Sequence, residues 1–362
     1  LYLLNFINVI NNMFTDDSIL LRDYFFPRIT LKNSIEFKEL YDHFQSIQVL
    51  PVQVTNFKES RIKGKVKIQS EYGPSSILEQ EYHFLKSSIH FTMRKLKCTI
   101  NVYDDKKDRR TFLDEIVQLV QFVGSLSTFH FSTLILNLYL IDEKKTIDAK
   151  MQELGKEEVN SGSCQIGDTT IINIYRTEEL IKVTIHELIH AFRYDNFRDS
   201  PQIVRHYQKK YNISSQHINT NEAYTELWAN LINCYLISQR VGRNRYNLFL
   251  ILISLEKEFA EFQAHKVFYI TNLNEKKVDI NKDTNVLSYF IIRCELYKRI
   301  VPFLKFCKTK NKDYIKLSEE KNWIEFIKKN GKIKKHHRRF NTIQKNDYLF
   351  TTMRMSLNER VI

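Results

Sequence analysis

Apolar and polar residues alternate with a period of two over 88–93, 97–103, 133–141 and 170–175, and branched or aromatic side chains dominate these stretches. That spacing predicts four strands, with a charged turn at 104–108. Phe112, Leu113, Ile116, Leu119, Val120 and Val123 instead recur at three and four, which predicts an amphipathic helix over 111–126. Residues 153–168 are polar and hold Gly155, Gly162 and Gly167, the composition of a loop. From residue 177 onward the spacing is helical. Helices are expected over 177–194, 221–239, 246–264 and 286–306, with Thr177 capping the first and Pro302 kinking the last. Upstream, a helix fits 34–44, and the pattern assigns nothing else between 14 and 60. Strand, helix, strand, loop, strand and then helices alone is an α+β order, a small mixed sheet followed by a helical second half. The expected division is an unassigned N-terminal region over 1–79, one domain over 80–310, and a basic C-terminal region over 311–362.

Composition narrows this picture. The chain has 362 residues, 43% of them hydrophobic and 13% aromatic, enough for a substantial core. Only 8 Gly and 5 Pro argue against collagen-like, propeller and glycine-loop nucleotide folds, whose turns need them. The five cysteines are odd in number and none forms a CxxC pair. A disulfide framework or a cysteine zinc site is therefore not expected, and a reducing, intracellular setting is. No apolar run reaches the ~20 residues that cross a bilayer. Residues 1–10 lack the basic start and small-residue cleavage site of a signal peptide, and the first Met is Met13.

The chemistry concentrates in one decapeptide, Val183-Thr-Ile-His-Glu-Leu-Ile-His-Ala-Phe192. In a helix, His186 and His190 lie one turn apart on the same face. Two imidazoles at that spacing suit one zinc ion, and Glu187 between them suits a general base acting on the water such an ion keeps. Two solvent-facing histidines on an ordinary helix would give the same letters. The uncharged residues at 183–185 and 188–189 argue instead for a buried helix that carries a site. A catalytic zinc takes three protein ligands. Glu222, Asp195, His206 and His217 are the candidates for the third. A histidine six residues beyond His190 is ruled out, because that position is Asn196. Glu222 has the best setting, Asn221-Glu-Ala-Tyr-Thr-Glu226. It opens a helix on which Glu226, one turn on, can accept the second ring N–H of a ligand histidine.

HExxH followed by NExxxE resembles the gluzincin branch of the zincin metallopeptidases, the branch of thermolysin and the alanyl-type aminopeptidases. The resemblance rests on these two motifs and covers about residues 85–240. It implies a zincin-like fold with the sheet over the metal helix, Zn2+ held by His186, His190 and Glu222, Glu187 as general base, and Glu226 orienting a ligand histidine. It also implies a sheet edge that binds the substrate backbone by strand addition, a role that falls to 170–175. One departure is the interval from His190 to Glu222, which is longer than in either named group. The Lys, Asn and Ile bias suggests an AT-rich genome, and the overall look is similar to zincin-like proteins of large DNA viruses.

Three residues are candidates to stabilise an oxyanion: Tyr289, His217 and Arg293. The remaining signal is charge. The excess of 55 basic over 42 acidic residues points to an acidic partner. Its densest part, 328–339, holds seven Lys or Arg, two His and no acid. Such a run suits nucleic acid or another polyanion, although a solvated loop is the commoner explanation of such runs. The expected function is zinc-dependent peptide-bond hydrolysis on a peptide or protein substrate, in the cytoplasm or in a virion. The alternatives are an inactive zincin-like structural or virion protein and a nucleic-acid-associated factor that uses the basic run.

Overall fold

The computed structural model describes residues 11–361 apart from 32, 62–64, 69, 106–108, 149, 274, 276, 335–342, 345 and 346. It is an α+β protein built on a six-stranded mixed sheet. The strands are β1 (Val52–Arg61), β2 (Leu85–Met93), β3 (Leu96–Asp104), β4 (Thr133–Tyr139), β5 (Gly162–Gln165) and β6 (Thr169–Ile174), in the spatial order β1-β2-β3-β4-β6-β5. The helices named below are α1 (Asp16–Phe25), α2 (Ile35–Ser46), α3 (Arg110–Ser125), α4 (Leu180–Ala191), α5 (Pro201–Tyr211), α6 (Thr220–Gln239), α7 (Arg245–Thr271), α8 (Arg293–Lys298), α9 (Ile300–Lys310) and α10 (Glu320–Lys328).

β1, β2 and β3 form an antiparallel meander. α3 then carries the chain over one face so that β4 pairs parallel with β3, the crossover that parallel strands require. β6 adds parallel to β4, and β5 closes that end of the sheet antiparallel to β6. The alternation read from the sequence sorts the faces. Ile100, Val102, Leu134, Leu136, Leu138, Ile172 and Ile174 are buried against α3 and α4. On the opposite face, in-register Asn101, Asn137 and Asn173 link their side-chain amides in a ladder at 2.9 Å per step, and Ser88 donates to its first member at 2.8 Å.

Four expectations are corrected. The stretch 153–168 is not all loop, because it contains a helical turn, Lys156–Val159, and strand β5. The sheet edge is consequently β5 and not 170–175, which lies one strand inside. Thr177 does not cap α4. Its hydroxyl and amide both donate to the Ile141 carbonyl, and the cap position falls to Glu179 at φ 59°. The long helix over 286–306 is broken well before Pro302. A π-helical turn (Leu287–Ile292) leads into α8, the chain breaks at Arg299, and α9 follows. The break places Pro302 in the first turn of α9, where a missing N–H removes no helical bond.

α6 and α7 are apolar on nearly every face and are correspondingly buried. One continuous core runs from Phe14, Leu21 and Phe25 through the sheet and α4 to Trp323, Met353 and Leu357, so it spans all three of the expected segments. The stretch Thr352–Asn358 passes through this core almost without exposure. Its backbone amides are satisfied by carboxylates: Met355 and Ser356 donate to Glu179, and Leu357 and Asn358 donate to Glu256. Of the basic run, 335–339 lies outside the described residues. No helix among the described residues is long and apolar enough to cross a membrane.

Candidate metal centre

The HExxH segment occupies the second half of α4, and the Asn221–Glu226 segment forms the first turns of α6. The two helices pack together. Between them, His186 Nε2 lies 3.0 Å from His190 Nε2, and Glu222 Oε2 lies 3.2 Å and 3.3 Å from these two nitrogens. Ligands about 2.0–2.1 Å from a tetrahedral centre stand about 3.3 Å apart, so the near-equilateral triangle has the edge lengths of such a site. Among the described residues these three are the one group of histidine, cysteine and carboxylate side chains with ligand atoms close enough to hold a metal ion.

Each imidazole has a carboxylate behind it. Asp195 Oδ2 is 2.7 Å from His190 Nδ1. Glu226 Oε1 is 3.0 Å from His186 Nδ1, though off the axis of its N–H. A carboxylate facing Nδ1 keeps the proton on that nitrogen and turns the Nε2 lone pair toward the triangle. Two such lone pairs at 3.0 Å repel unless a cation sits between them, so the donor set fits a zinc ion with one position left open. The carboxylates around the histidines also favour positive charge at this place. Burial alone would lower the His186 pKa, but Glu226 and Glu222 outweigh it and raise it to about 9. For His190 the same opposition ends well above the ordinary value, through Asp195 and Glu222. Burial opposes ionisation of Glu222, yet the two imidazoles hold its carboxyl well below the usual range.

The carboxylates are themselves anchored. Thr225 Oγ1 donates to Asp195 at 2.9 Å, and Asn221 Nδ2 does so at 3.4 Å. Lys182 Nζ bonds both oxygens of Glu226 at 2.9 and 3.0 Å, and Arg293 Nη1 approaches Glu226 at 3.5 Å. Arg293 also donates to the Met355 carbonyl, and Glu179 links Lys145 to the Met355 and Ser356 amides. The buried C-terminal segment thus reaches His186 through Arg293 and Glu226.

Glu187 is buried beside the triangle, and burial raises its pKa. Its Oε1 lies 2.8 Å from where a Cβ on Gly162 would stand, so β5 passes directly over it. A cavity of about 30 Å³, room for a water molecule, is lined by Gly162, His186, Glu187, Glu226 and Tyr289. The Tyr289 ring centre is 6.1 Å from that of His186. It stands on the π-helical turn, a distortion frequent at functional sites.

The structure therefore brings together His186, Glu187, His190, Glu222, Glu226 and Tyr289. Asp195, weighed as a ligand, stands behind His190 instead. His206 packs against Tyr207 on α5, and His217 is exposed in a separate cavity. Arg293 is fully buried behind Glu226 and does not face the open side of the triangle. Lys182 and Gly162 were missed. Lys182 carried a signal, since 182, 186 and 190 share one helix face at a spacing of four. Gly162 carried none, because its role follows only from the pairing of β5. No protein-family model, curated protein or solved structure matches this chain.

Proposed function

We propose that the chain is a zinc-dependent peptidase. The observation that carries this reading is the triangle of His186, His190 and Glu222, with a carboxylate behind each histidine and Glu187 beside it. The resemblance of its two motifs to the gluzincins supports the same reading. His186, His190 and Glu222 would hold the ion. When bound, zinc supplies Lewis-acid polarisation of a carbonyl and lowers the pKa of a coordinated water toward ~7. Asp195 and Glu226 keep the imidazoles in the ligating tautomer. Glu187, one residue past His186, takes the proton of the attacking water and returns it to the leaving amine. The Tyr289 hydroxyl donates to the developing oxyanion. The outer side of β5 offers an extended substrate a strand to pair with.

Elemental analysis tests the metal. Protein purified without chelator and supplied with zinc should hold one ion per chain, and His186→Ala or His190→Ala should hold none. Wild type that takes up no transition metal under these conditions overturns the reading.

A further inference from the structure

A second cavity, of about 560 Å³, is lined by Arg198, Asp199, Arg205, Gln208, His217 and Asn219, among others. Its lining residues follow or precede those of the candidate centre in the chain. Arg198 follows Asp195 by three residues, and Asn219 precedes Glu222 by three on the start of α6. The cavity wall and the centre therefore draw on the same two chain segments, the link after α4 and the start of α6. The connections are rigid. Asp199 accepts from the Thr220 amide at 2.5 Å and from its hydroxyl at 2.6 Å, which clamps the segment bearing Arg198 to α6. Asn219 Nδ2 donates to Asn285 at 2.7 Å, and Asn281 Nδ2 donates to the His217 carbonyl at 2.9 Å. The cavity wall is thereby tied to the segment that leads into Tyr289.

The charge of this cavity is the informative part. Arg198 and Arg205 are exposed, and neither forms an ion pair or a hydrogen bond with a described residue. Most of the buried or half-buried arginines do find a partner, among them Arg109 with Asp104, Arg293 with Glu226, Arg354 with Glu359 and Arg360 with Glu115. Asp199, the carboxylate lining the cavity, has both oxygens occupied by Thr220. Two free guanidinium groups, each a planar fork of donors, therefore line a space of ligand size whose wall shares chain segments with the centre.

We infer that this cavity receives a carboxylate of the peptide substrate, so that the site selects acidic peptides. The inference deepens the peptidase reading and rests on it for the word substrate. The carboxylate could come from an Asp or Glu side chain or from the peptide C-terminus, and the two sources are separable.

The experiment is a binding titration that does not depend on turnover. Zinc-loaded Glu187→Gln protein is titrated with three fluorescein-labelled octapeptides: polyalanine with an amidated end, the same peptide with one Asp, and polyalanine with a free C-terminal carboxylate. At least one carboxylate-bearing peptide should bind about tenfold or more tighter than the neutral one. Combining Arg198→Ala with Arg205→Ala should abolish that difference and leave the neutral peptide within about twofold. Whichever peptide responds identifies the source. Equal binding of all three, or a preference that survives both arginine substitutions, overturns the inference. Cleavage is scored separately with the wild type. Selective, arginine-dependent binding without cleavage of any peptide would leave the cavity assignment standing and sink the peptidase reading. Cleavage without acidic preference would do the reverse.

Discussion

Replacing Gly162 by alanine probes the placement of Glu187 without touching a ligand. The added methyl would sit 2.8 Å from Glu187 Oε1 and 3.0 Å from both Ile174 Cδ1 and Val183 Cγ1. Gly162 lies outside the left-handed backbone region, so alanine brings no strain of its own. To restore ordinary contact the carboxylate oxygen must retreat by about 0.5–1 Å. A misplacement near 1 Å in catalytic geometry costs about 10²-fold. We therefore expect kcat/KM to fall about 10- to 100-fold. Glu187 and Ile174 can turn their ends away, whereas buried Val183 is stiff at χ1 in its helix, so the stability cost should fall within the ~1–3 kcal/mol typical of overpacking. Zinc content should stay at one ion per chain. The assay combines elemental analysis, a thermal melt and the hydrolysis rate of an internally quenched peptide. A folded, zinc-loaded Gly162→Ala protein with full activity would refute the argument that Glu187 works from beneath β5.

Further expectations concern the surroundings of the centre. Glu222→Ala should abolish zinc binding, whereas Asp195→Asn and Glu226→Gln should each weaken it about 10–100-fold, as measured by competition with a chelator. Burial opposes ionisation of Glu179, but Lys145, Lys182 and Arg354 outweigh it and hold its pKa to about 2. A folded pKa below the unfolded value of ~4.3 means stability that is present above that value and lost as pH falls toward 2. Denaturant melts from pH 5 to pH 3 should show this decline, and Glu179→Gln should be less stable at pH 7 with a flatter acid limb. Neutralising the basic residues of 328–339 should weaken binding to heparin and flatten its dependence on salt, because fewer counterions are released. An unchanged slope would leave that run a solvated surface. Hydrolysis of a short peptide should survive the same change.

The helices of the site were legible because their signals are local. The spacing of His186 and His190 in an uncharged stretch marks a buried helix, and α4 runs over Leu180–Ala191. Asn221–Glu226 opens α6 as its pattern suggested. What the sequence hid depends on tertiary partners. Gly162-Ser-Cys-Gln165 has no apolar alternation, and it is a strand only because β6 supplies hydrogen-bond partners. Thr177 has the chemistry of a cap, yet the Ile141 carbonyl claims its hydroxyl. Asp195 was visible as a carboxylate near the histidines, but whether it ligates or orients turns on which ring nitrogen it faces. The asparagine ladder needs residues about 36 positions apart in register, which periodicity within one strand does not reveal.

The most direct test compares zinc-loaded wild type with Glu187→Gln on a broad library of quenched peptides. The substitution keeps size and helix propensity and removes the basic carboxylate. Loss of a general base costs about 10²–10⁴-fold. The account predicts hydrolysis by the wild type, and a folded variant with full zinc whose rate is lower by at least that factor. Equal rates for the two proteins, or no hydrolysis by zinc-loaded wild type on any peptide, would contradict it.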